Sequence, residues 1–382
     1  MRIYLDHNAT TPVRDSVILA MTRALRDGWG NPSSVHAEGA AARAAVERAR
    51  DAVAALLGVA PREIVFTSGA SEANNSVLCR IAGSPQAPGR HVVSSNVEHP
   101  SVEAPLAALE ARGGRVTRVP VDRDGRLDPD AVADALAPDT ALVSILFAHN
   151  ETGVLQPLAE IAQRVHARGV KLHADVTQAV GKIPLDLSRE GVDFASLSAH
   201  KLGGPKGVGC LVARGDAGFE PWLLGGGQER GLRGGTENVP GIVGLGAACE
   251  LALGELPRRV GEWTRLRDRL WEGIAAKVPR ALRNGSALHA LPNTLNVAFE
   301  GAPGDLLLQA LDLEGVAVSS GAACASGSIE PSRALLAYGL GAERARASLR
   351  FSVGHGVDEG QIDHVLGLLP DLVARVRAAG NA

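Results

Sequence analysis

Several residues that could do chemistry stand at the ends of apolar runs. In SLSAHKLGGPKG (196–207), Lys201 closes a strand-like run, and the glycines after it let other groups approach closely. Burying a charged, unpaired lysine is costly, and desolvation lowers its pKa. Taken alone, the residue fits a lysine emerging into solvent at a strand end. The sharper alternative is an amine that forms a Schiff base with an aldehyde cofactor. Lys206 reads as structural or peripheral, because Lys201 has the strand-end position. In KLHADVTQAVG (171–181), alternation puts His173 and Asp175 on one strand face. An isolated buried carboxylate demands a cationic partner. A protonated pyridine nitrogen would supply one for Asp175, and a plain helix N-cap is the other reading.

FTSGASEANNSV (66–77) reads as strand, small-residue turn and helix. Backbone N–H groups at that helix start, with Ser71, suit a phosphate, although a serine cap explains the pattern without a ligand. SSNVEHPSV (94–102) sets His99 just before a helix, where an imidazole can stack on an aromatic ring or cap the helix. In ASLRFSVG (347–354), Ser348, Arg350 and Ser352 share one strand face, and Leu349, Phe351 and Val353 the other. The Arg350 fork suits bidentate capture of a carboxylate, or an ordinary surface salt bridge.

Of the four cysteines, Cys210, Cys249 and Cys79 lie in apolar runs and read as buried small hydrophobes. Cys324 differs. It stands in VSSGAACASGSIEPS (318–332), among glycine, alanine and serine, with no Cys or His at metal-ligand spacing. Small side chains impose few packing constraints, so this stretch predicts a mobile loop carrying a thiol. The wide cysteine spacing forms neither a C-x-x-C pair nor a disulfide framework, and a cytoplasmic location is the default expectation.

Continuously apolar strand runs alternate with helix-like runs over most of the chain. HVVSS (91–95), ALVSILF (141–147), KLHADV (171–176) and FASLSA (194–199) are the clearest strands. Such runs suit a mostly parallel sheet covered by helices on both faces, an α/β architecture with right-handed crossovers. In open α/β sheets ligands bind beyond the carboxyl ends of the strands. Ser68–Ser71, His99, Asn150, Asp175–Gln178 and Ser198–Lys201 all fall there. A long helix is expected over roughly 239–278, followed by a smaller α+β unit. The expected division is a large domain over 15–255 and a small one made of 1–14 with 256–382, which carries the loop at about 319–332.

The 382 residues are 45% hydrophobic with net charge −3, which argues against a general nucleic-acid or anionic-membrane binder. No uninterrupted apolar run reaches the roughly 20 residues of a membrane helix. MRIYLDHNATTP lacks the apolar core of a secretory signal.

Ten segments together resemble cysteine desulfurases of the NifS/IscS kind. They are YLDHNATTP, GNPSSVH, IVFTSGASEANN, VEHPSV, HNETGVLQP, HADVTQAVGK, SAHKLGGPKGVG, GGGQERGLRGGTEN, SSGAACASGSIEPS and LRFSVG. They run along nearly the whole chain in the family's order. The resemblance implies the type I fold of transferases dependent on pyridoxal 5'-phosphate (PLP), with Lys201 carrying the cofactor as a Schiff base. It implies that His99 stacks on the ring, Asp175 pairs with its nitrogen and Gln178 contacts its hydroxyl. Ala70 (through its backbone), Ser71, Ser198 and His200 hold the phosphate. Thr236 reaches the phosphate of the other subunit of a homodimer. Asn150 and Arg350 hold the carboxylate of L-cysteine, and Asn31 lines the pocket.

The implied activity converts L-cysteine to L-alanine and leaves a persulfide on Cys324, whose outer sulfur passes to an acceptor such as an iron–sulfur scaffold protein. No metal, nucleic acid or membrane is implied. The competing readings are an aminotransferase or selenocysteine lyase that leaves Cys324 idle, and a scaffold that kept the fold without the chemistry. The chain departs from the family at SSGAACAS, where SSGSACTS is common, and at His7, where Tyr or Asn is common. It stops soon after LLPDLVARVRAAGNA, without the long C-terminal extension of some IscS-type relatives. The acceptor therefore stays open between an iron–sulfur scaffold, a tRNA-thiolation protein and a dedicated biosynthetic pathway.

Overall fold

The computed structural model describes residues 2–82, 91–215, 217–320 and 330–380. Twelve strands occur among them: β1 Ile3–Tyr4, β2 Ile64–Thr67, β3 His91–Ser95, β4 Arg115–Val119, β5 Thr140–Leu146, β6 Lys171–Asp175, β7 Phe194–Ser198, β8 Gly209–Ala213, β9 Ala281–Arg283, β10 Thr294–Phe299, β11 Val316–Ala317 and β12 Ser348–Ser352. Seven form one sheet in the order β2-β8-β7-β6-β5-β3-β4. The pairs among β3 to β7 are parallel, and β8 runs antiparallel between β7 and β2.

Successive residues of these strands serve opposite faces. Val65, Val92 and Leu142 pack into one apolar cluster, while Phe66, Val93 and Val143 pack into another. Both faces are thus covered, which is why the runs read as continuously apolar rather than alternating. The covering helices of this part are α1 Asp15–Asp27, α2 Ala37–Leu57, α3 Ala70–Val77, α4 Pro100–Ala111, α5 Pro129–Asp134, α6 Leu158–His166 and the start of α7 Val239–Lys277.

Helix α7 changes partners along its length. Val239 through Ala252 pack in the core under the large sheet, and Trp263 through Ile274 pack in a second core. One 18-residue window of α7 is long and apolar enough to cross a membrane by length and composition, and 56% of that window is buried inside the fold. No single unbroken run in the sequence revealed it, because charged residues interrupt the helix elsewhere.

The second core is built on the antiparallel sheet β12-β10-β9 and the helices α8 Gly304–Leu313 and α11 Glu359–Gly380. Ile3 and Leu5 belong to it, and β1 pairs in parallel with β11. The N-terminal segment therefore packs with the C-terminal part of the chain. The short helix α9 Arg333–Ala337, by contrast, leans on the first core through Ala334, with Tyr338 beside it. Helix α10 Ala342–Arg346 leads directly into β12.

One buried ion pair ties the turn before α3 to its scaffold. Arg50 of α2 and Glu229 have side chains only 4% and 3% exposed, with Nη2–Oε1 at 2.8 Å. Arg50 also donates to Ile64 O, and Glu229 accepts from Phe66 N–H, so β2 is clamped between them. A buried pair adds little net stability, but removing one partner strands the other charge without water. Glu229→Ala should therefore destabilise the protein by about 3–5 kcal/mol in denaturant unfolding, whereas an exposed pair such as Arg269–Asp363 should cost under about 1 kcal/mol.

Candidate active site

The polar residues at the carboxyl ends of β2, β3, β5, β6 and β7 come together beside the N-terminal segment. Lys201 is not the last residue of β7. It closes the 3-10 turn Ala199–Lys201 that follows, which turns its side chain back toward residues 8 and 9. Its Nζ donates to Asn8 O and Ala9 O, each at 2.7 Å. Burial, and then the nearby charge of Arg350, push the Lys201 amine down to about 8, while Asp6 and Asp175 oppose the shift. A lysine so placed offers far more free amine near neutral pH than an ordinary one.

Asp175 ends β6 and is almost wholly buried. Its carboxylate accepts from Asn74 Nδ2 at 2.9 Å and from Thr177 N–H at 3.0 Å, both neutral donors. Asn74 also donates to Ser101 Oγ at 2.8 Å, and Ser101 Oγ lies 2.7 Å from His99 Nδ1. Asn74 thus joins Asp175 to His99 across α3 and α4. His99 is the N-cap of α4, where its Nδ1 accepts from Ser101 N–H at 3.1 Å. The ring proton of the neutral form therefore sits on Nε2. Burial lowers the His99 pKa, against the pull of Asp175, so the ring is neutral at pH 7. Of the two sequence readings of His99, the capping one is seen here, and it occupies Nδ1 alone.

Two further acids flank this group. Burial, with Asp175 adding to it, pushes the neighbouring Glu98 carboxyl up to about 8. Glu151 is pushed up to about 7 by burial and gives Ser332 Oγ an acceptor at 2.6 Å.

Arg350 is not a surface residue. Its side chain is 5% exposed, donates through Nη2 to Asp6 at 2.6 Å and through Nη1 to Asn150 O at 2.9 Å, and leaves Nε buried without a partner. One donor of the fork therefore stays free for a ligand. Asn150 O also accepts from Asn8 Nδ2 at 3.2 Å. Gln178 Nε2 donates to Asn8 O at 2.9 Å, so Gln178 and Lys201 share one acceptor.

The α3 end forms a cradle of small groups. Ala70 N–H donates to Ser198 Oγ at 2.7 Å, and Ser71 is exposed in the first turn. A Cβ on Gly209 would stand 2.2 Å from Leu197 O and 2.7 Å from Gly69 Cα, so only glycine lets β8 pass this close to the turn. His200 Nδ1 meets Thr10 Oγ1 at 3.1 Å, and burial with the surrounding lysines pushes its pKa down to about 4.

Three expected residues stand apart. Cys324 lies outside the described residues. The flanks of its segment do not: Ser319 pairs backbone to backbone with Arg350, and Ser332 bonds to Glu151. Asn31 is exposed and bonded to its own turn at Ser33 and Ser34. Thr236 is exposed and borders, with Ser68 and Gly207, a cavity of about 190 Å³. Elsewhere Cys210 and Cys249 are buried as expected, but Cys79 is only half-buried. Among the described residues, no three His, Cys, Asp or Glu gather as metal ligands.

Asn8, Asn74 and Lys182 were missed in the sequence. Asn8 lay inside the quoted segment YLDHNATTP, but nothing local marked it as a junction. Asn74, on α3, lay inside IVFTSGASEANN and Lys182, in the turn after β6, inside HADVTQAVGK, and neither carried a local signal beyond being polar.

The family model Aminotransferase class-V matches residues 3–365. A cysteine desulfurase of a Nostoc species is 46% identical over 98% of this chain and 94% of its own. A solved NifS-like protein superposes with TM-score 0.92 at 37% identity, covering 98% of this chain and all of that one. A structure described as SspA in complex with cysteine gives TM-score 0.82 at 35% identity, covering 92% and 99%.

Because Arg350 holds the Lys201 ammonium at a disadvantage, Arg350→Gln should raise the Lys201 pKa from about 8 toward its ordinary 10.5. Reductive methylation of the cofactor-free protein at a series of pH values, read at Lys201 by mass spectrometry, measures that midpoint.

Proposed function

The chain belongs to the class-V aminotransferase family and is a cysteine desulfurase by its end-to-end likeness to those enzymes, and we propose that it works on L-cysteine with PLP held at Lys201. The observation that carries this reading is Lys201 itself, an amine brought down to about 8 at the carboxyl end of the sheet, with Asp175 and Arg350 acting on it.

The residues present fit PLP by their chemistry. Lys201 supplies the amine, and Asp175 supplies a buried carboxylate met so far only by neutral donors, which suits a protonated pyridine nitrogen. Gln178 has an N–H group for the ring oxygen, and the α3 start with Ser71, Ser198 and His200 suits a phosphate. When bound, the cofactor supplies an electron sink that makes the α-proton of an amino acid acidic.

The protein's own groups do the rest. Arg350, with its free Nε, and Asn150 orient the substrate carboxylate. Released Lys201 Nζ takes and returns protons at the α-carbon, at a pKa close to working pH. Neutral His99, with Nδ1 taken by Ser101 N–H, carries its proton on Nε2 as a donor for the site. Cys324 Sγ then attacks the substrate sulfur. One S–S bond forms, the Cβ–S bond breaks, and the proton of the Cys324 thiol balances the methyl group of the departing alanine. Cys324 keeps the second sulfur as a persulfide, for an acceptor such as an iron–sulfur scaffold protein. Its reach is supported by the two described flanks of its segment, Ser319 against Arg350 and Ser332 against Glu151.

The working unit is a homodimer. Asn31, which stands apart from the site within one chain, lies between the exposed Trp29 and Val35, and Thr236 follows the exposed run of Trp222, Leu223 and Leu224. A face of that kind is costly to leave in water and fits a second copy. The double variant Trp29→Glu/Leu224→Glu should sediment as monomer and lose activity, while the parent sediments as dimer.

The activity is tested with L-cysteine and PLP. The parent should show a visible absorbance band and release alanine, with sulfide appearing when reductant is added. Lys201→Ala should lose the band. Cys324→Ser should keep the band and lose at least about a hundredfold of alanine formation, as expected for loss of a nucleophile. A parent that makes no alanine, or a Cys324→Ser variant with full turnover, would overturn the reading.

A further inference from the structure

Lys182 is a buried lysine that meets no carboxylate among the described residues. It is 3% exposed, and its Nζ donates to two amide oxygens, Asn8 Oδ1 at 2.8 Å and Gln178 Oε1 at 2.5 Å. Both amides also touch the Lys201 site. Asn8 O accepts from Lys201 Nζ and from Gln178 Nε2, and Asn8 Nδ2 reaches Asn150 O.

We propose that Lys182 is a positioning residue for Lys201, which pins the Gln178 amide with its oxygen turned away from the Lys201 amine and its NH2 turned toward it. Burial, then the charges of Lys201 and Arg350, push the Lys182 amine well down, yet its Nζ donates to both amides, so each presents oxygen to it. For Asn8 the same orientation is fixed independently, because Oδ1 also accepts from Asn293 Nδ2 while Nδ2 donates to Thr294 Oγ1. Gln178 has one further constraint, the bond from Nε2 to Asn8 O, an acceptor that Lys201 also uses. Its side chain is held at Oε1 by Lys182 and at Nε2 by the carbonyl it shares with Lys201.

Two consequences follow for the amine. Gln178 offers donors toward the site and withholds its oxygen, the one group that would hold a proton on Lys201. Gln178 also competes with Lys201 for Asn8 O, which weakens the bonds that favour the ammonium. Released from Lys182, the Gln178 amide keeps only its bond to Asn8 O, which it can give up by turning over to meet Lys201. Its oxygen would then accept from Lys201 Nζ and stabilise the charged, non-nucleophilic form. The charged and titratable groups around the pair are Arg350, Asp6, Asp175, His7, His99 and His200. None of them bonds to Gln178, so they act alike on both orientations.

The role stands on Lys201 being the reacting amine, as proposed above, but its test needs no cofactor. In the cofactor-free protein the pH midpoint of Lys201 methylation is read by mass spectrometry for the parent, Lys182→Met, Gln178→Ala and the double variant. Lys182→Met should move the midpoint upward, leaving about tenfold less free amine near pH 8, the effect of one hydrogen bond gained by a charged group. The same change made in the Gln178→Ala background should move it less than about twofold, since no amide remains to turn. A Lys182→Met midpoint equal to the parent's overturns the proposal. So does an equal shift in both backgrounds, which would mean that Lys182 acts by charge alone. Should Lys182→Met not fold, Lys182→Gln carries the test. Its uncharged NH2 still donates to Gln178 Oε1, so the midpoint should stay at the parent's value, and an upward shift that persists without Gln178 overturns the role. Failure of PLP binding would show separately, as a missing visible band in the parent.

Discussion

Much of the site hangs on one buried amide, Asn8. Its N–H donates to Ser352 Oγ, its carbonyl accepts from Lys201 and Gln178, its Oδ1 accepts from Lys182 and Asn293, and its Nδ2 donates to Asn150 O and Thr294 Oγ1. Four of these partners come from the large sheet and its connections, and three from the second core. A buried polar network is strong only when every member is satisfied. The two cores therefore have little freedom to shift without breaking several bonds to one residue. The N-terminal segment is the wedge that sets the distance between Lys201 on one side and Arg350 on the other.

Electrostatics follow from that placement. Arg350 is paired inside the protein with Asp6, a neighbour of Asn8 in sequence. Arg350 in turn disfavours a second cation, and together with burial it brings Lys201 down to about 8. Glu98, raised to about 8, stays neutral at pH 7 and leaves Asp175 as the acid with donors gathered on it. The site thus separates one acid to stay protonated from one held by N–H groups. It also sets a cation paired with a carboxylate, Arg350, beside one poised to lose its proton, Lys201. Separation of this kind is what acid–base chemistry on a bound amino acid needs.

Much of the scaffold was legible beforehand. HVVSS is β3 over the same residues, and FASLSA, KLHADV and ALVSILF differ from their strands by a residue or so at an end. Apolar strands and helix-breaking turns are local signals, and they survive into the fold because packing rewards the same pattern. The antiparallel β8 was not legible, since a buried strand looks alike in either direction. Arg350 could be read as a salt-bridge residue or a carboxylate fork, and burial beside Asp6 and Asn150 decided what surrounds it. Lys201 was read as a strand end and is the end of a 3-10 turn, a shift of one short turn that redirects its side chain toward Asn8.

The sequence by itself determined the fold class, the family and the residue types lined up beyond the strand ends. Each of those rests on local pattern or on segments matched in order. Tertiary structure alone decided which polar atoms meet. Lys201 and Asn8 are 193 positions apart, and Arg350 and Asp6 are 344 apart. No local pattern encodes such pairs, because each partner is satisfied only when both cores have closed around it. The tuning of Lys201, the bridge through Asn74 and the clamp of Lys182 therefore become visible only in the folded chain.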